Sequence, residues 1–177
     1  MPAVEIRDAE DRDVDAILSI SNAAILETTA NWDIEPETVQ QRRAWLAERT
    51  AAGLPVLVAE IGGEVAGFAT YGPFRSRAGY ALTVEHSVYL DPRHQGHGAG
   101  TALMQELIGR ARAAGIHVMI GGIDGANAGS LRFHERLGFT AATPLREVGS
   151  KFGRWLDLVF VQLVIADAAS PTPSETS

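Results

Sequence analysis

The sequence predicts an α+β fold around one mixed, mostly antiparallel twisted sheet of six to seven strands, flanked by about four helices. Strand-like and helix-like apolar patterns follow each other in the order β-α-α-β-β-β-α-β-α-β-β. Gly62-Gly63 separates two apolar runs and is typical of a tight hairpin, which makes its two strands antiparallel. The segment 84–107 passes from alternating apolar residues through spaced glycines into a helical pattern. We therefore expect a strand, a glycine-rich loop and a helix at the centre of the fold.

Capping and turn residues divide the first half of the chain into its elements. A strand is predicted at 3–7, and a helix at 14–26 from the helical spacing of its apolar residues. Pro36 can begin a second helix, which Gly53 ends. Further strands are predicted at 55–61, 64–71 and 81–90.

The second half of the chain continues with a helix after the glycine-rich loop, and Gly115 ends it. A strand at 117–123, a short helix at 130–137 and a last strand at 159–165 complete the predicted elements. Residues 1–166 are thus predicted to form a single domain. The segment 167–177 is small and polar and contains proline, so we expect a disordered tail.

Composition excludes several classes of protein. A chain of 177 residues, 46% of them apolar, can bury a core without disulfides or metal. It has no apolar run long enough to span a membrane and no secretory signal after Met1, so a cytoplasmic location is expected. The absence of cysteine excludes disulfides, thiolate metal sites and an acyl-cysteine intermediate, and no metal is predicted. The net charge of −7 argues against nucleic acid as a partner.

Three glycines, Gly96, Gly98 and Gly100, lie where the central helix is predicted to begin. Glycine lets successive backbone N–H groups approach an anion at a helix N-terminus, and pyrophosphate is the expected ligand. The loop lacks the lysine of a Walker motif, and Thr101 occupies the last position of a Rossmann fingerprint. The glycines alone would also fit a plain tight turn. Three flanking side chains favour phosphate locally: Arg93, His94 and His97.

Two motifs identify a family. Gln95-Gly96-His97-Gly98-Ala99-Gly100 resembles the Q/R-x-x-G-x-G/A loop of the GNAT acetyltransferases, and the segment 83–89, TVEHSVY, resembles the corresponding segment of the phosphinothricin and methionine sulfoximine N-acetyltransferases. The resemblance implies a GNAT fold, in which the strand before the glycine loop and the strand before the last short helix splay apart around acetyl-CoA.

The resemblance also implies which residues hold the acetyl-CoA co-substrate. The backbone of Val88, Tyr89 and Leu90 would run beside the pantetheine arm, and an asparagine amide at Asn127, near Ser130, would hydrogen-bond it. The pyrophosphate would be held by the whole loop: Gln95, Gly96, His97, Gly98, Ala99 and Gly100.

Acetyl transfer to an amine requires a neutral nitrogen, so some group must accept a proton. Glu85 on the central strand is the expected general base, directly or through a water, although a lone strand carboxylate could equally form an ion pair. His86 should point to the opposite face of the strand. Many GNAT members have a tyrosine where this chain has His134, which makes His134 the expected general acid; the alternative is a histidine on the helix surface.

The same resemblance implies that the acceptor is a small, amino-acid-like amine such as phosphinothricin or methionine sulfoximine. Guanidinium groups bind carboxylates and phosphinates in bidentate fashion, so the loop after the third strand is expected to bind it. The predicted acceptor-binding residues are Arg75, Ser76, Arg77, Glu85, His86 and Ser87. The resemblance adds Trp32, Lys151 and Trp155 to the acceptor pocket, although Trp32 could be only a loop anchor, and it implies a homodimer. Two other functions remain open: a GNAT acetyltransferase for a protein N-terminus or other amine, and a non-enzymatic coenzyme-A-binding module.

Overall fold

The computed structural model describes residues 3–165, in which eight strands form one sheet. In chain order the strands are β1 (Val4–Asp8), β2 (Val56–Ile61), β3 (Glu64–Pro73), β4 (Thr83–Leu90), β5 (Val118–Asp124), β6 (Thr140–Ala141), β7 (Leu145–Lys151) and β8 (Arg154–Val164). Their order across the sheet is β1-β2-β3-β4-β5-β8-β6, and β7 also pairs with β8. Within the described residues all pairs are antiparallel except β4–β5. The predicted tail at 167–177 lies outside the described residues.

The same part of the chain contains four α-helices, as predicted: α1 (Val14–Glu27), α2 (Val39–Ala51), α3 (Ala99–Ala113) and α4 (Ala128–Arg136). Helix α2 begins at Val39 rather than at Pro36, because Thr38 caps it. The Thr38 hydroxyl accepts the N–H of Gln41, and the Gln41 side chain accepts the N–H of Thr38. Helix α4 begins at Ala128, before the predicted start at residue 130, because Asn127 caps it.

The mixed, mostly antiparallel sheet is confirmed, but it has eight strands rather than six to seven. The sequence of β7, LREVGSK, is mostly exposed and has few apolar residues, so alternation does not reveal it. A tight turn at Phe152 and Gly153, with φ of 52° and 72°, joins β7 to β8. The last strand therefore begins at Arg154, well before the predicted residue 159.

Two apolar clusters cover the two faces of the sheet. On one face, α3 packs through Leu103, Met104 and Leu107 against strand residues such as Leu57 and Met119. On the other face, α1 and α2 pack against the sheet through a second cluster that contains Ile17, Leu46, Val58 and Phe68. Alternate residues of β4 therefore reach different helices, which places chemically different side chains on its two faces.

No helix in residues 3–165 is both long and apolar enough to cross a membrane.

Candidate active site

The parallel strands β4 and β5 separate partway along their length. Their pairing runs from Thr83↔Val118 to Glu85↔Ile120 and ends there. Beyond that point, residues 86–90 pair with β3 on their other side, and residues 121–124 pair with β8. The predicted splay between β4 and β5 is confirmed. One edge of β4 is therefore left with backbone N–H and C=O groups that an extended ligand could pair with.

A cavity of about 430 Å³ lies beside the open edge of β4, between α1 and α4, and reaches the glycine-rich loop. Seven of the residues predicted to bind acetyl-CoA line it: Val88, Tyr89, Leu90, Gln95, Gly100, Asn127 and Ser130. Helix α1 supplies a further wall through Ile20, Ala23 and Ala24, which sequence reasoning missed. The adjacent alanines are the available signal, because short side chains on a helix face leave room for a ligand.

The glycine-rich loop has the backbone geometry of an anion site. Gly96 and Gly98 have φ of 81° and 83°, a conformation that residues with a side chain rarely adopt. Helix α3 follows at once, and the N–H of Ala102 donates to the Gly98 carbonyl at 3.0 Å. The N–H groups that precede Ala102 in the helix have no acceptor within it, so they can bind an anion. The side chain of Ala99 is buried in the core, and only its backbone can contact a ligand.

The basic side chains beside this loop are partly neutralised by acidic neighbours. Arg93 donates to both carboxylate oxygens of Asp91, at 2.7 Å in the shortest contact, and lies 3.9 Å from Glu64. The same hydrogen bonds to Arg93 hold the pKa of Asp91 below its ordinary value. His94 lies 3.9 Å from Glu64, and His97 is exposed. Backbone N–H groups are therefore the main anion-binding feature of the loop.

The start of α4 presents polar groups to the cavity. The Asn127 side-chain oxygen accepts the N–H of Ser130 at 3.0 Å and so caps the helix. This bond leaves the Asn127 amide NH₂ available to a ligand. The Ser130 carbonyl in turn accepts a hydrogen bond from Nδ1 of His134 at 2.8 Å.

His134 is buried, with 3% of its surface exposed, so the alternative of a histidine on the helix surface is wrong. A carbonyl oxygen can only accept, so the bond to Ser130 places the ring proton on Nδ1 and leaves Nε2 as an acceptor. Burial lowers the pKa of His134. A neutral ring whose only N–H is engaged cannot begin the reaction as a general acid, so the geometry argues against that predicted role.

His86 lies on the opposite face of β4 from Glu85, as predicted from the alternation of the strand. Its ring stacks on His134 with centroids 5.1 Å apart and contacts Phe139 edge-on. A Cβ at Gly121 would lie 2.6 Å from its Nε2, so this glycine makes room for the ring. Burial, and to a lesser extent His134, lowers the pKa of His86 to about 3. The buried ring does not share the face of Glu85, which argues against the predicted contact between His86 and the acceptor.

A smaller cavity of about 70 Å³ adjoins both histidines and Ser87. Neither nitrogen of His86, nor Nε2 of His134, has a hydrogen-bond partner within the described residues. A cavity of this size, lined by polar residues such as Ser87 and Asn127, has room for a bound water.

Glu85 occupies the last paired position before the strands separate. Its carboxylate is half-buried, and a Cβ at Gly122 would lie 3.5 Å from Oε1, so Gly122 leaves space beside it. Burial raises the pKa of Glu85, whereas the charge of Arg75 lowers it. A carboxylate with a raised pKa at the end of a cleft is a candidate general base.

Of the three residues predicted to bind the acceptor in the loop after β3, only Arg75 has a relation to the Glu85 carboxylate. Arg75 is exposed, and its guanidinium lies 4.9 Å from the ring centre of Phe74, which contacts Phe160 of β8. Ser76 and Arg77 line, with Arg75, a separate cavity of about 460 Å³ that shares no lining residue with the two cavities above. The structure therefore brings Arg75 near Glu85 electrostatically and gives no such relation for Ser76 or Arg77.

The loop between α1 and α2, residues 28–38, forms the opposite wall and is anchored to the C-terminal strands. The Trp32 ring packs so closely on Gly149 that a Cβ there would lie 2.4 Å from it, and its N–H donates to the Thr29 carbonyl. Buried Lys151 donates to the Asn31 carbonyl. Trp155 is 68% exposed and lines neither cavity of the splayed strands.

The strand edge, the cavity and the anion loop suit one kind of ligand. An extended arm with amide groups can pair along the open edge of β4, while a diphosphate binds the N–H groups of α3. The arm would then end where Glu85 lies. Coenzyme A combines an arm with a diphosphate, so the fold and the site define a coenzyme-A-dependent acyltransferase.

The chain belongs to the acetyltransferase (GNAT) family, whose model matches residues 17–139, and it is an N-acetyltransferase. It is 48% identical to the L-methionine sulfoximine/L-methionine sulfone acetyltransferase of Salmonella typhimurium, over 94% of this chain and 97% of that protein. It is 40% identical to the phosphinothricin N-acetyltransferase of Streptomyces viridochromogenes, over 96% of this chain and 92% of that protein. A putative acetyltransferase from Salmonella typhimurium, solved with its cofactor acetyl-CoA, superposes with a TM-score of 0.92 at 46% identity, covering 97% of this chain and 99% of that one.

Proposed function

We propose that this enzyme transfers acetyl from acetyl-CoA directly to the primary amine of a small amino-acid-like acceptor, such as methionine sulfoximine, methionine sulfone or phosphinothricin. The observation that carries the proposal is the half-buried Glu85 at the point where β4 and β5 part, with Arg75 lowering its pKa against the effect of burial. The relatives that acetylate methionine sulfoximine, methionine sulfone and phosphinothricin support the same acceptor class.

In this mechanism Glu85 acts as the general base. It accepts a proton from the acceptor ammonium, and the neutral nitrogen attacks the thioester carbonyl carbon. The resulting tetrahedral intermediate loses a second proton from nitrogen as the C–S bond breaks, and the sulfur leaves with the bonding electron pair. Arg75 would bind the acceptor carboxylate or phosphinate, and Ser87 would lie beside the reacting groups.

His134 would act as a proton carrier instead of a preformed acid. Its neutral ring lines the small cavity together with Ser87, and its buried Nε2 has no partner in the described residues. It can accept the proton that the nitrogen loses and return the same proton to the departing sulfur. The first proton passes from nitrogen to Glu85 and then to solvent, and the second passes from nitrogen through His134 to sulfur, so the sequence balances without an external acid.

The acetyl-CoA cleft gives a prediction with a matched control in one helix. A Cβ at Gly100 would lie 3.2 Å from Leu90 Cδ1 and 3.5 Å from the Phe133 ring, whereas a Cβ at Gly109 meets nothing within 4 Å. Both glycines belong to α3, so Gly100→Val and Gly109→Val carry a similar change in helix propensity. We expect the first to raise the KM for acetyl-CoA roughly tenfold, a loss of about 1.4 kcal/mol of binding. Gly109→Val should leave the KM for acetyl-CoA unchanged. Equal KM values for the two variants would show that Gly100 does not border the acetyl-CoA site.

The acceptor class is tested by coenzyme A thiol release with a panel of acceptors. The panel contains L-methionine sulfoximine, L-methionine sulfone, phosphinothricin, L-methionine and a peptide with a free N-terminus. We expect turnover with the free amino acids and their analogues, and a KM for them that Arg75→Gln raises about tenfold through loss of a charged hydrogen bond. Turnover confined to the peptide, and independent of Arg75, would favour a protein N-terminus. No thiol release, with acetyl-CoA still bound, would favour a coenzyme-A-binding module.

We further propose that the enzyme is a cytoplasmic homodimer that uses no metal. Support for the dimer comes from exposed apolar side chains on β7, on β8 and in the turn between them, where Val148, Phe152 and Trp155 are 54%, 57% and 68% exposed. Such a patch is typical of a protein interface. Light scattering tests the dimer, because it measures the mass of the enzyme in solution, which should be twice that of one chain.

A further inference from the structure

Asp124 is a buried carboxylate for which the mechanism above has no use. It ends β5, and 5% of its surface is exposed. Its Oδ2 accepts the hydroxyl of Thr29 at 2.5 Å, and its Oδ1 accepts the N–H of Ala126 at 3.0 Å. Its backbone carbonyl accepts the N–H of Asn127 at 2.8 Å. One residue therefore contacts both the α1–α2 loop and the cap of α4.

The bond to Thr29 is important because Asp124 has no cationic partner in residues 3–165. A buried carboxylate without a counter-charge depends on the hydrogen bonds that it accepts. Two donors serve this one: a loop hydroxyl and a backbone N–H next to the α4 cap. Movement of either would leave the charge poorly solvated, so the two segments are linked energetically.

Both linked segments contact the substrate cavities. In the larger cavity, Thr28 and Ala30 of the loop face Asn127 of the cap. In the smaller cavity, Ala30, Asp124 and Asn127 line the same space. A ligand that fixes Asn127 would therefore also restrict the α1–α2 loop, because Asp124 is hydrogen-bonded to both.

We propose that Asp124 is a positioning residue that couples the α1–α2 loop to the acetyl-CoA cleft, so that filling the cleft orders the loop that walls the acceptor pocket. The inference rests on the proposed use of the cleft by acetyl-CoA. The other two loop anchors, Trp32 on Gly149 and Lys151 on the Asn31 carbonyl, connect the loop to β7. They hold the loop in place without joining it to the cap of α4.

Thr29 provides the test, because Thr29→Val keeps the shape of the side chain and removes the hydroxyl, and Thr29→Ser keeps the hydroxyl. Hydrogen–deuterium exchange of residues 28–38 is measured with and without coenzyme A, which cannot turn over. We expect coenzyme A to slow exchange in this loop roughly tenfold in the wild type and in Thr29→Ser, and less than twofold in Thr29→Val. Circular dichroism and exchange in β2 check that each variant is folded.

Two outcomes would overturn the coupling: a loop protected equally in Thr29→Val and the wild type, or a wild-type loop that coenzyme A does not protect although it binds. Because no acceptor is present, these results do not depend on which amine the enzyme acetylates. Failure of the proposed acceptor class would be seen separately, in the thiol-release panel. Reciprocity gives a second readout: the loss of coupling should change coenzyme A affinity by a factor similar to the change in loop protection.

Discussion

Replacing Glu85 by glutamine is expected to lower kcat by about a hundredfold or more, the usual magnitude for loss of a general base. Glutamine has nearly the same shape but cannot accept the proton of the acceptor ammonium. The side chain lies at the end of the cleft, outside the residues that line the 430 Å³ cavity, so acetyl-CoA binding should not change. Steady-state thiol release gives kcat, and calorimetry gives the affinity for acetyl-CoA.

The matched control is Glu5→Gln, which makes the same change on the exposed face of the edge strand β1. It should retain wild-type turnover. If Glu85→Gln also retains turnover, another group or solvent accepts the proton and the proposed mechanism is wrong. If Glu85→Gln no longer binds acetyl-CoA, the loss of activity would be due to lost cofactor binding rather than to loss of the general base.

The acid limb of the pH dependence of kcat/KM should report the pKa of the Glu85 carboxyl. Burial raises the pKa of Glu85, so as pH falls the carboxyl becomes protonated earlier than an ordinary glutamate and stops accepting protons. Arg75 opposes this effect, so Arg75→Gln should move the acid limb of the profile to higher pH.

Local sequence patterns were sufficient to predict the parts of the site that depend on one segment. The Gly96–Gly100 loop, the alternation of β4 and the Gly62-Gly63 hairpin each combine a backbone requirement with neighbouring residues in the chain. Alternation also placed Glu85 and His86 on opposite faces of β4 without reference to the rest of the fold. The splay of β4 from β5 came instead from the family resemblance, and seven of the sixteen residues that line the larger cavity were predicted.

Contacts between distant segments were not predictable in this way. Thr29 and Asp124 are separated by 95 positions, and neither residue has a neighbouring motif that indicates the other. The general-acid role of His134 came from the family resemblance, whereas its tautomer depends on the Ser130 carbonyl one helical turn away. Strand β7 was missed because pairing with β8, rather than apolar alternation, holds it in the sheet.

The buried histidine on the other face of β4 should make the folded state sensitive to acid. The pKa of His86 is lowered to about 3 in the folded protein, from an ordinary value of 6.5. Between these values the unfolded chain binds a proton that the folded chain does not, so the free energy of unfolding falls as pH decreases. Well below pH 6.5 one such group gives about 1.4 kcal/mol per pH unit, which amounts to about 2 kcal/mol between pH 7.5 and pH 5.0. His134, whose pKa burial also lowers, acts in the same direction.

Urea unfolding of wild type and His86→Leu at pH 7.5 and pH 5.0 measures this contribution. Leucine has a similar volume and does not titrate, so the variant should lose about 2 kcal/mol less stability than the wild type over this interval. His117→Leu removes an exposed ring and should keep the wild-type pH dependence. The ring of His86 stacks on His134 of α4 and contacts Phe139 edge-on, and Asp124 is the one carboxylate among the described residues that line the adjoining 70 Å³ cavity. Equal pH dependence in wild type and His86→Leu would mean that water in the 70 Å³ cavity solvates the ring and keeps its pKa near the ordinary value.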